Sequence, residues 1–293
     1  MKINKQTTIK DILELPAFKD VGKFLFPLQR PIRKEMTLEE LSSPNIYVWY
    51  SCIQVSKTIE IIESLYKQAQ TSPIFYLIYS EDEIRKDVSK QNVGVFFFKG
   101  KKDAPFAICN AGGGFAYVGA MHDSFPHALE LSKLGYNAFA LIYRVNHAYE
   151  DLAHAITYIL SHSKELEVND EHYSLWGGSA GARMAAQLGN KEVLNYYVGH
   201  DVIQADAVIM QYTGYDYVSI YDAPTYMNVG TQDYIADYRI AEERLNRLRA
   251  MGISTEFHSY PRLSHGFGLG QGTVAEGWIK DAVIFWQKQI DKH

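Results

Sequence analysis

Short apolar runs rich in β-branched and aromatic residues alternate with longer segments of helical period from about residue 74 onward. Such alternation is typical of βαβ units, in which buried strands are joined by amphipathic helices. The first two runs leave no room for a helix between them and are predicted to form an antiparallel hairpin, whereas the later ones should run parallel. The eight predicted strands cover residues 74–79, 93–98, 105–110, 137–143, 172–177, 207–212, 225–230 and 254–260.

The first 70 residues lack this alternation and show helical patterns alone. One of them begins with a capping box, in which Thr37 and Glu40 can cap each other's backbone amides. We therefore predict a helical N-terminal extension over residues 1–72 and a larger catalytic domain over residues 73–293. A last helix is predicted at about 274–290, opening with a second capping pair, Thr273 and Glu276.

Composition and charge narrow the possible classes of function. Apolar residues make up 47% of the 293 residues and charged residues 22%, which is ordinary for a soluble globular protein. The formal net charge is −5 and no Lys/Arg-rich run occurs, so nucleic acid is not an expected partner. Cys52 and Cys109 are too few for a disulfide-stapled fold and are interpreted as buried apolar thiols. No apolar stretch has the length of a signal peptide or a membrane span, so we expect a cytoplasmic protein.

A serine between two glycines marks the junction of one predicted strand and the helix that follows it. In "SLWGGSAGARMAA", residues 174–186, Ser179 stands midway between Gly177 and Gly181. A sharp strand-to-helix turn strains the residue at its tip and brings the positions on either side close together, so glycine is favoured there. The turn would lift the Ser179 hydroxyl above the sheet edge and leave the Ala180 amide at a helix N-terminus, where it can bind developing negative charge. Ser179 is therefore a candidate nucleophile.

A serine hydroxyl needs a base to remove its proton and an acid to orient the base. Of the ten histidines, His265 lies in a glycine-rich loop directly after the eighth strand, at the same sheet edge, whereas His258 is interpreted as packing on the face of that strand. Asp233 follows the seventh strand at the carboxyl edge, where parallel sheets place their sites. Its rival Asp237 is interpreted as an acidic residue at the start of the next helix.

The segment "NAGGGF", residues 110–115, follows the third predicted strand and offers backbone amides for an oxyanion. Gly112 and Gly113 can donate without side-chain obstruction, together with the amide of Ala180. A phosphate-binding loop is the competing interpretation, but neither a G-x-G-x-x-G spacing nor a P-loop lysine is present. No metal ion or organic cofactor is indicated.

Together these motifs resemble those of α/β-hydrolases in the hormone-sensitive-lipase-like and acetyl-esterase-like groups, over roughly residues 74–290. "AGGGF" is similar to their HGGGF motif, "ALIYRV" to the segment after the fourth strand, "GGSAG" to the nucleophile elbow and "SHGFG" to the histidine loop. The resemblance implies an eight-stranded, mostly parallel sheet with helices on both faces. It also implies a site made of Ser179 as nucleophile, Asp233 as acid, His265 as base, and Gly112, Gly113 and Ala180 as oxyanion donors.

Two departures from the family pattern affect these expectations. Ala111 stands where the first motif has histidine, so another side chain must support the loop, and we expect Asn110 to do so. The span between the sixth and seventh strands is too short for an inserted lid, so any lid must come from the N-terminal helices. The sequence leaves open whether residues 1–72 cap the active site or join subunits of a homo-oligomer.

These features predict a serine hydrolase that cleaves a small-molecule carboxylic ester through an acyl-enzyme. A short acyl chain, with an acetylated sugar as one candidate substrate, follows from the resemblance. A serine peptidase would use the same residues, and a binding protein without turnover is the alternative that Ala111 raises.

Three further features near the predicted site have interpretations of their own. Arg144 and Asp151 are interpreted as a structural salt bridge, and Arg183 as a surface residue. The tyrosines of residues 212–226 would either line a pocket or form a surface loop.

Overall fold

The computed structural model describes residues 2–292 and contains all eight predicted strands. Apolar, β-branched and aromatic side chains dominate them, as expected for a pleated surface covered on both faces. The strands are β1 Phe75–Leu77, β2 Gly94–Phe98, β3 Phe106–Asn110, β4 Asn137–Ile142, β5 Tyr173–Gly178, β6 Ala207–Gln211, β7 Thr225–Gly230 and β8 Thr255–Tyr260.

The strands form one sheet in the order β1-β2-β4-β3-β5-β6-β7-β8. β2 pairs antiparallel with both of its neighbours, β1 and β4. All the other neighbouring strands in this order, from β4-β3 to β7-β8, pair in parallel. The predicted antiparallel pairing of the first two strands is therefore confirmed, but the predicted absence of a helix between them is wrong. A short helix and a 3₁₀ turn fit there because Ser80 caps the helix with Glu83 in a capping box.

The helices of the larger part of the chain cover both faces of the sheet. Every residue of β2 to β7 is buried, and because side chains alternate along a strand, both faces must be covered. These helices are α4 Glu81–Lys86, α5 Ala120–Asp123, α6 Phe125–Lys133, α7 Ala148–Ser161, α8 Ser163–Leu166, α9 Ala180–Leu188, α10 Lys191–Val198, α11 Tyr238–Ala250 and α12 Trp278–Ile290. On one face α9 packs on β5 and β6 and against α7, and on the other α6 packs on β4.

The segment before β1 holds three further helices, α1 Ile9–Leu13, α2 Leu38–Leu41 and α3 Val55–Gln68, with 3₁₀ turns at Pro16–Phe18 and Gly22–Leu25. The predicted capping box of Thr37 and Glu40 is present at the start of α2. Gln68, the last residue of α3, connects this segment to the sheet, because its side chain hydrogen-bonds the Phe97 carbonyl and the Lys99 amide. Apolar side chains of both parts form one continuous buried cluster.

Two local predictions are wrong. α12 begins at Trp278, because Gly277 adopts a left-handed conformation with φ of 93° that interrupts the helical path. Thr273 and Glu276 instead cap the tight turn before it, accepting hydrogen bonds from Ala275 and Gly272. Cys109 is buried as expected, whereas Cys52 is exposed. Among the described residues, no helix combines the length and the apolar character needed to cross a bilayer.

Candidate active site

Ser179 occupies the single position between the end of β5 and the start of α9, in a conformation that side chains rarely adopt. Its φ is 53° and its ψ is −116°, a strain of about 1–3 kcal/mol that the surrounding packing must impose. A Cβ at Gly177 would lie 2.2 Å from the carbonyl carbon of Gly181, and a Cβ at Gly181 would lie 2.0 Å from the Asn110 carbonyl oxygen. Both glycines are therefore required by the close approach of strand and helix, as the sequence predicts.

The three residues proposed as a triad meet at the carboxyl edge of the sheet. The His265 ring lies with Nε2 at 3.0 Å from the Ser179 Oγ and Nδ1 at 2.7 Å from the Asp233 Oδ2. The other oxygen of Asp233 accepts hydrogen bonds of 2.8 Å from the amides of Ile235 and Ala236. Because a carboxylate oxygen only accepts, Nδ1 carries the proton and Nε2 is left to accept the Ser179 hydroxyl proton.

The two rival residues have structural positions away from this group. Asp237 is the N-cap of α11 and accepts a hydrogen bond of 3.0 Å from the Arg239 amide. His258 lies on β8, where its ring contacts Glu256 at 2.8 Å and packs on Tyr226. Both interpretations drawn from the sequence are confirmed.

Hydrogen bonds from three parts of the chain stabilise the loop that carries His265. The Gly268 carbonyl accepts hydrogen bonds of 3.0 Å from the side chains of Gln211, at the end of β6, and Trp278, at the start of α12. The Ser51 hydroxyl of the N-terminal segment donates to the His265 carbonyl at 2.8 Å. These contacts hold the ring in place even though the loop itself is rich in glycine.

The predicted oxyanion loop, residues 110–115 after β3, differs from its prediction at one position. The Gly112 amide donates to the Asp123 Oδ2 at 2.6 Å, so it is not free to bind a developing oxyanion. A Cβ at Gly112 would lie 2.9 Å from the Ser179 Cβ, which shows that glycine is needed there for close approach. The amides of Gly113 and Gly114 donate to no other group among residues 2–292, and Gly114 lines the pocket in front of Ser179. Gly114 is thus a candidate donor that sequence reasoning missed.

Asp123 supplies the loop support that was expected from Asn110. Its carboxyl group is fully buried and accepts hydrogen bonds from the Gly112 amide, from the Tyr50 hydroxyl at 3.0 Å and from the Tyr212 hydroxyl. Burial, and next the charge of Asp123, raises the pKa of both tyrosine hydroxyls well above the ordinary phenol value, so they remain donors. Asn110 instead donates to the Trp176 carbonyl at 2.9 Å and ties β3 to β5.

A cavity of about 340 Å³ opens directly in front of Ser179 and His265. Tyr212 and Tyr215 line it, so part of the tyrosine-rich segment forms pocket wall, whereas Tyr217 is exposed. Arg183 also lines the cavity, and its position one helical turn after Ser179 is the signal in the sequence that could have indicated this. Arg183 is exposed, so its interpretation as a surface residue is confirmed, but it also brings a guanidinium group to the edge of the cavity, which the sequence analysis did not predict.

The Arg144 and Asp151 pair is structural, as predicted. Asp151 is fully buried and accepts from the Arg144 side chain at 2.6 Å and from the Arg144 amide at 2.7 Å. Burial alone would lower the pKa of Arg144, but the hydrogen bonds and charge of Asp151 raise it above the ordinary arginine value. Asp87 and the Tyr79 hydroxyl complete a network that joins the end of β4 to the start of α7.

Comparison with known proteins supports the predicted fold. A family model described as BD-FAE matches residues 95–195, from β2 into α10. A comparison with curated protein sequences gave no match. Among residues 2–292, no group of three or more His, Cys, Asp or Glu side chains is arranged to hold a metal ion.

Solved structures of several hydrolases share the architecture. A thermophilic esterase from Thermogutta terrifontis, with propionate bound, is 17% identical with a TM-score of 0.61, over 74% of this chain and 93% of that one. An acetyl ester-xyloside bifunctional hydrolase from Caldicellulosiruptor lactoaceticus is 20% identical with a TM-score of 0.59, over 74% and 94%. A carboxylesterase from Lactobacillus plantarum is 18% identical with a TM-score of 0.60, over 67% and 92%. At these identities the likeness establishes the fold.

Proposed function

We propose that this chain, an α/β-hydrolase by fold, is a serine hydrolase that cleaves small carboxylic esters with short acyl groups. The observation that carries the proposal is the continuous hydrogen-bonded series from the Ser179 hydroxyl through His265 to Asp233. A serine hydrogen-bonded to an imidazole, itself oriented by a buried carboxylate, is the arrangement that generates an alkoxide-like nucleophile.

The geometry supports the following sequence of steps. Ser179 Oγ attacks the acyl carbon while His265 Nε2 takes the hydroxyl proton, and Asp233 stabilises the imidazolium that forms. The amide of Ala180 at the N-terminus of α9, with those of Gly113 and Gly114, donates to the oxyanion. His265 then gives its proton to the leaving alcohol, which leaves the acyl group bound to Ser179 Oγ. Water attacks this ester while His265 takes its proton, and the proton passes to Ser179 Oγ as the bond to the acyl carbon breaks and the acid is released.

The size of the cavity supports a small substrate. Its volume of about 340 Å³ lies near the lower limit for ligand pockets, and aromatic side chains form much of its wall. The solved relatives include an esterase with propionate bound and a hydrolase acting on acetyl esters. Short-chain esters, among them acetylated sugars, are therefore the substrates to screen first.

The test combines covalent labelling with a matched variant. Wild-type protein should be labelled at Ser179 by a fluorophosphonate and should hydrolyse p-nitrophenyl acetate faster than p-nitrophenyl decanoate. Ser179→Ala should lose labelling and about 10⁶-fold in kcat, with unchanged circular dichroism. Ser174→Ala is the control, because Ser174 is a fully buried serine of β5 that does not line the pocket. This variant should still be labelled at Ser179. An unlabelled Ser179 in folded wild-type protein would contradict the proposal, and faster cleavage of peptide anilides would favour a peptidase.

A further inference from the structure

Arg183 lies one helical turn after the proposed nucleophile, on the same face of α9. Its amide donates to the Ser179 carbonyl at 3.2 Å, and residues four apart on a helix are neighbours on the surface. Side chains on a helix lean toward its N-terminus, so the Arg183 side chain extends back toward the elbow. It lines the same cavity as Ser179 and His265.

The charge of Arg183 is not neutralised by the protein. Within residues 2–292, the arginines that pair with a carboxyl group within 4.0 Å are Arg85, Arg144, Arg239 and Arg244. The Arg183 side chain is exposed to the cavity and to solvent, and its guanidinium carbon lies 5.7 Å from the centroid of the Tyr215 ring. Contact with an aromatic face leaves the in-plane N–H donors of a guanidinium free.

Tyr215 in turn is held by a rigid support. Arg244 lies 5.3 Å from the ring centroid and is almost fully buried, in an ion pair with Asp222 at 3.3 Å. Its Nε donates to the Tyr217 carbonyl at 3.0 Å, which fixes the segment that carries Tyr215. The ring therefore gives the flexible Arg183 side chain a preferred position at the pocket wall.

We propose that Arg183 determines specificity by binding a carboxylate of the substrate, so that the preferred esters carry a negative charge a few atoms from the scissile carbonyl. The inference rests on the proposed function and names its substrate class. The planar guanidinium can pair with a carboxylate through two parallel hydrogen bonds, which orient the ester as well as attract it. No Asp or Glu side chain lines the cavity, so no carboxylate of the protein competes there for Arg183.

The experiment compares charged and neutral esters of matched shape. Monomethyl and dimethyl glutarate place the charge on the acyl side, and 4-acetoxybenzoate and its methyl ester place it on the alcohol side. We expect Arg183→Gln to lower kcat/KM for the charged member of at least one pair by about tenfold, and to leave the neutral member within about twofold. A tenfold loss is at the lower end of what removing a hydrogen bond to a charged group costs. We expect the lower end because the Arg183 side chain is partly exposed to solvent, which weakens its interaction with a carboxylate.

Three comparisons make the result decisive. Arg183→Lys keeps the positive charge but lacks the planar guanidinium. Its kcat/KM for the charged ester should therefore lie between those of wild type and Arg183→Gln. Arg249→Gln, an exposed arginine at the end of α11, removes the same net charge and should leave both pairs unchanged. The preference for the charged ester should also shrink at 1 M salt, where the Debye length is about 3 Å.

Each other outcome overturns a defined part of the inference. An Arg183→Gln variant with unchanged charged-to-neutral ratios in both pairs would contradict the role of Arg183. Equal loss on charged and neutral esters would assign it a structural role instead. A protein that hydrolyses none of the four esters, with Ser179 unlabelled by a fluorophosphonate, would contradict the proposed function and this inference with it.

Discussion

At the scale of single residues, Asp123 is the side chain on which the geometry of the site depends most. It joins three distant segments: the oxyanion loop through Gly112, the N-terminal segment through Tyr50, and the end of β6 through Tyr212. It also lies under the elbow, because a Cβ at Gly178 would be 2.3 Å from its Oδ1. We infer that Asp123 is a positioning residue, since it acts on the reaction through the backbone of the oxyanion loop.

Replacing Asp123 with asparagine should therefore change catalysis more than substrate binding. The amide keeps the shape but turns one acceptor into a donor, which faces either the Gly112 amide together with the Tyr50 hydroxyl, or the Tyr212 hydroxyl. We expect kcat to fall by about 10²-fold, similar to the loss of one oxyanion donor, with KM changed by less than about threefold. Steady-state kinetics on p-nitrophenyl acetate checks this.

Asp206→Asn is the control, at a buried carboxyl group that accepts hydrogen bonds from His172 and Trp286 away from the pocket. It should lower stability without lowering kcat. If Asp123→Asn keeps the wild-type kcat, the role assigned to Asp123 is wrong.

At the scale of secondary-structure elements, the junction of β4 and α7 depends on a buried charge pair. Arg144 follows β4 and Asp151 lies in the first turns of α7, so their hydrogen bonds fix the angle between strand and helix. The pair lies at the same sheet edge as the site but does not line the cavity in front of Ser179. Its contribution is therefore to stability.

Asp151→Asn should destabilise the protein by about 1.5–3 kcal/mol, because the Arg144 guanidinium loses its one fully buried carboxylate and keeps only the partly exposed Asp87 and Glu150. Urea unfolding measures the change. The neighbouring Glu150→Gln is the matched control. Glu150 is 47% exposed and lies 3.4 Å from the same guanidinium, so its loss should cost less than about 1 kcal/mol. Equal effects of the two substitutions would show that burial of Asp151 does not matter.

At the scale of the whole molecule, buried histidines couple stability to pH. His122 is packed against Tyr47 with ring centroids 4.2 Å apart, and burial lowers its pKa to about 3 from an ordinary value of 6.5. Burial also lowers the pKa of His127, which packs on Trp278. The unfolded chain binds protons below about pH 6.5 that the folded chain does not bind until far lower pH. Stability is therefore complete above pH 6.5 and falls as the pH decreases.

His122 should make the free energy of unfolding decrease by about 1.4 kcal/mol per pH unit between pH 6 and 5, above the range where most carboxyl groups titrate. Urea unfolding of wild type and His122→Phe at pH 7, 6 and 5 checks this. In His122→Phe, the free energy of unfolding should depend less steeply on pH, by that amount per pH unit, whatever the stability of the variant at pH 7. The exposed His200→Gln is the control. Parallel pH dependences of wild type and His122→Phe would contradict the assignment.

Much of the fold was predictable because its signals are local. Strand and helix patterns depend on side chains a few positions apart, so both ends of all eight strands were predicted to within two residues. The short α4 and the late start of α12 were missed, since a capping box and a left-handed glycine override a weak pattern. The glycines of the elbow were predictable for the same reason, because the turn crowds its own neighbours.

The sequence by itself determined the alternation of strands and helices, the strained serine corner, and the loops that end at one sheet edge, because near neighbours and strand polarity specify them. Only the tertiary structure decided which donors and charges meet there. It directed the Gly112 amide toward Asp123, and it made Asp123 the support of the glycine-rich loop in which Ala111 replaces the motif's histidine. It also placed Arg183 at the cavity. These outcomes depend on contacts between residues far apart in the chain, and hydrogen bonds of buried groups are satisfied by whichever partner the packing brings close.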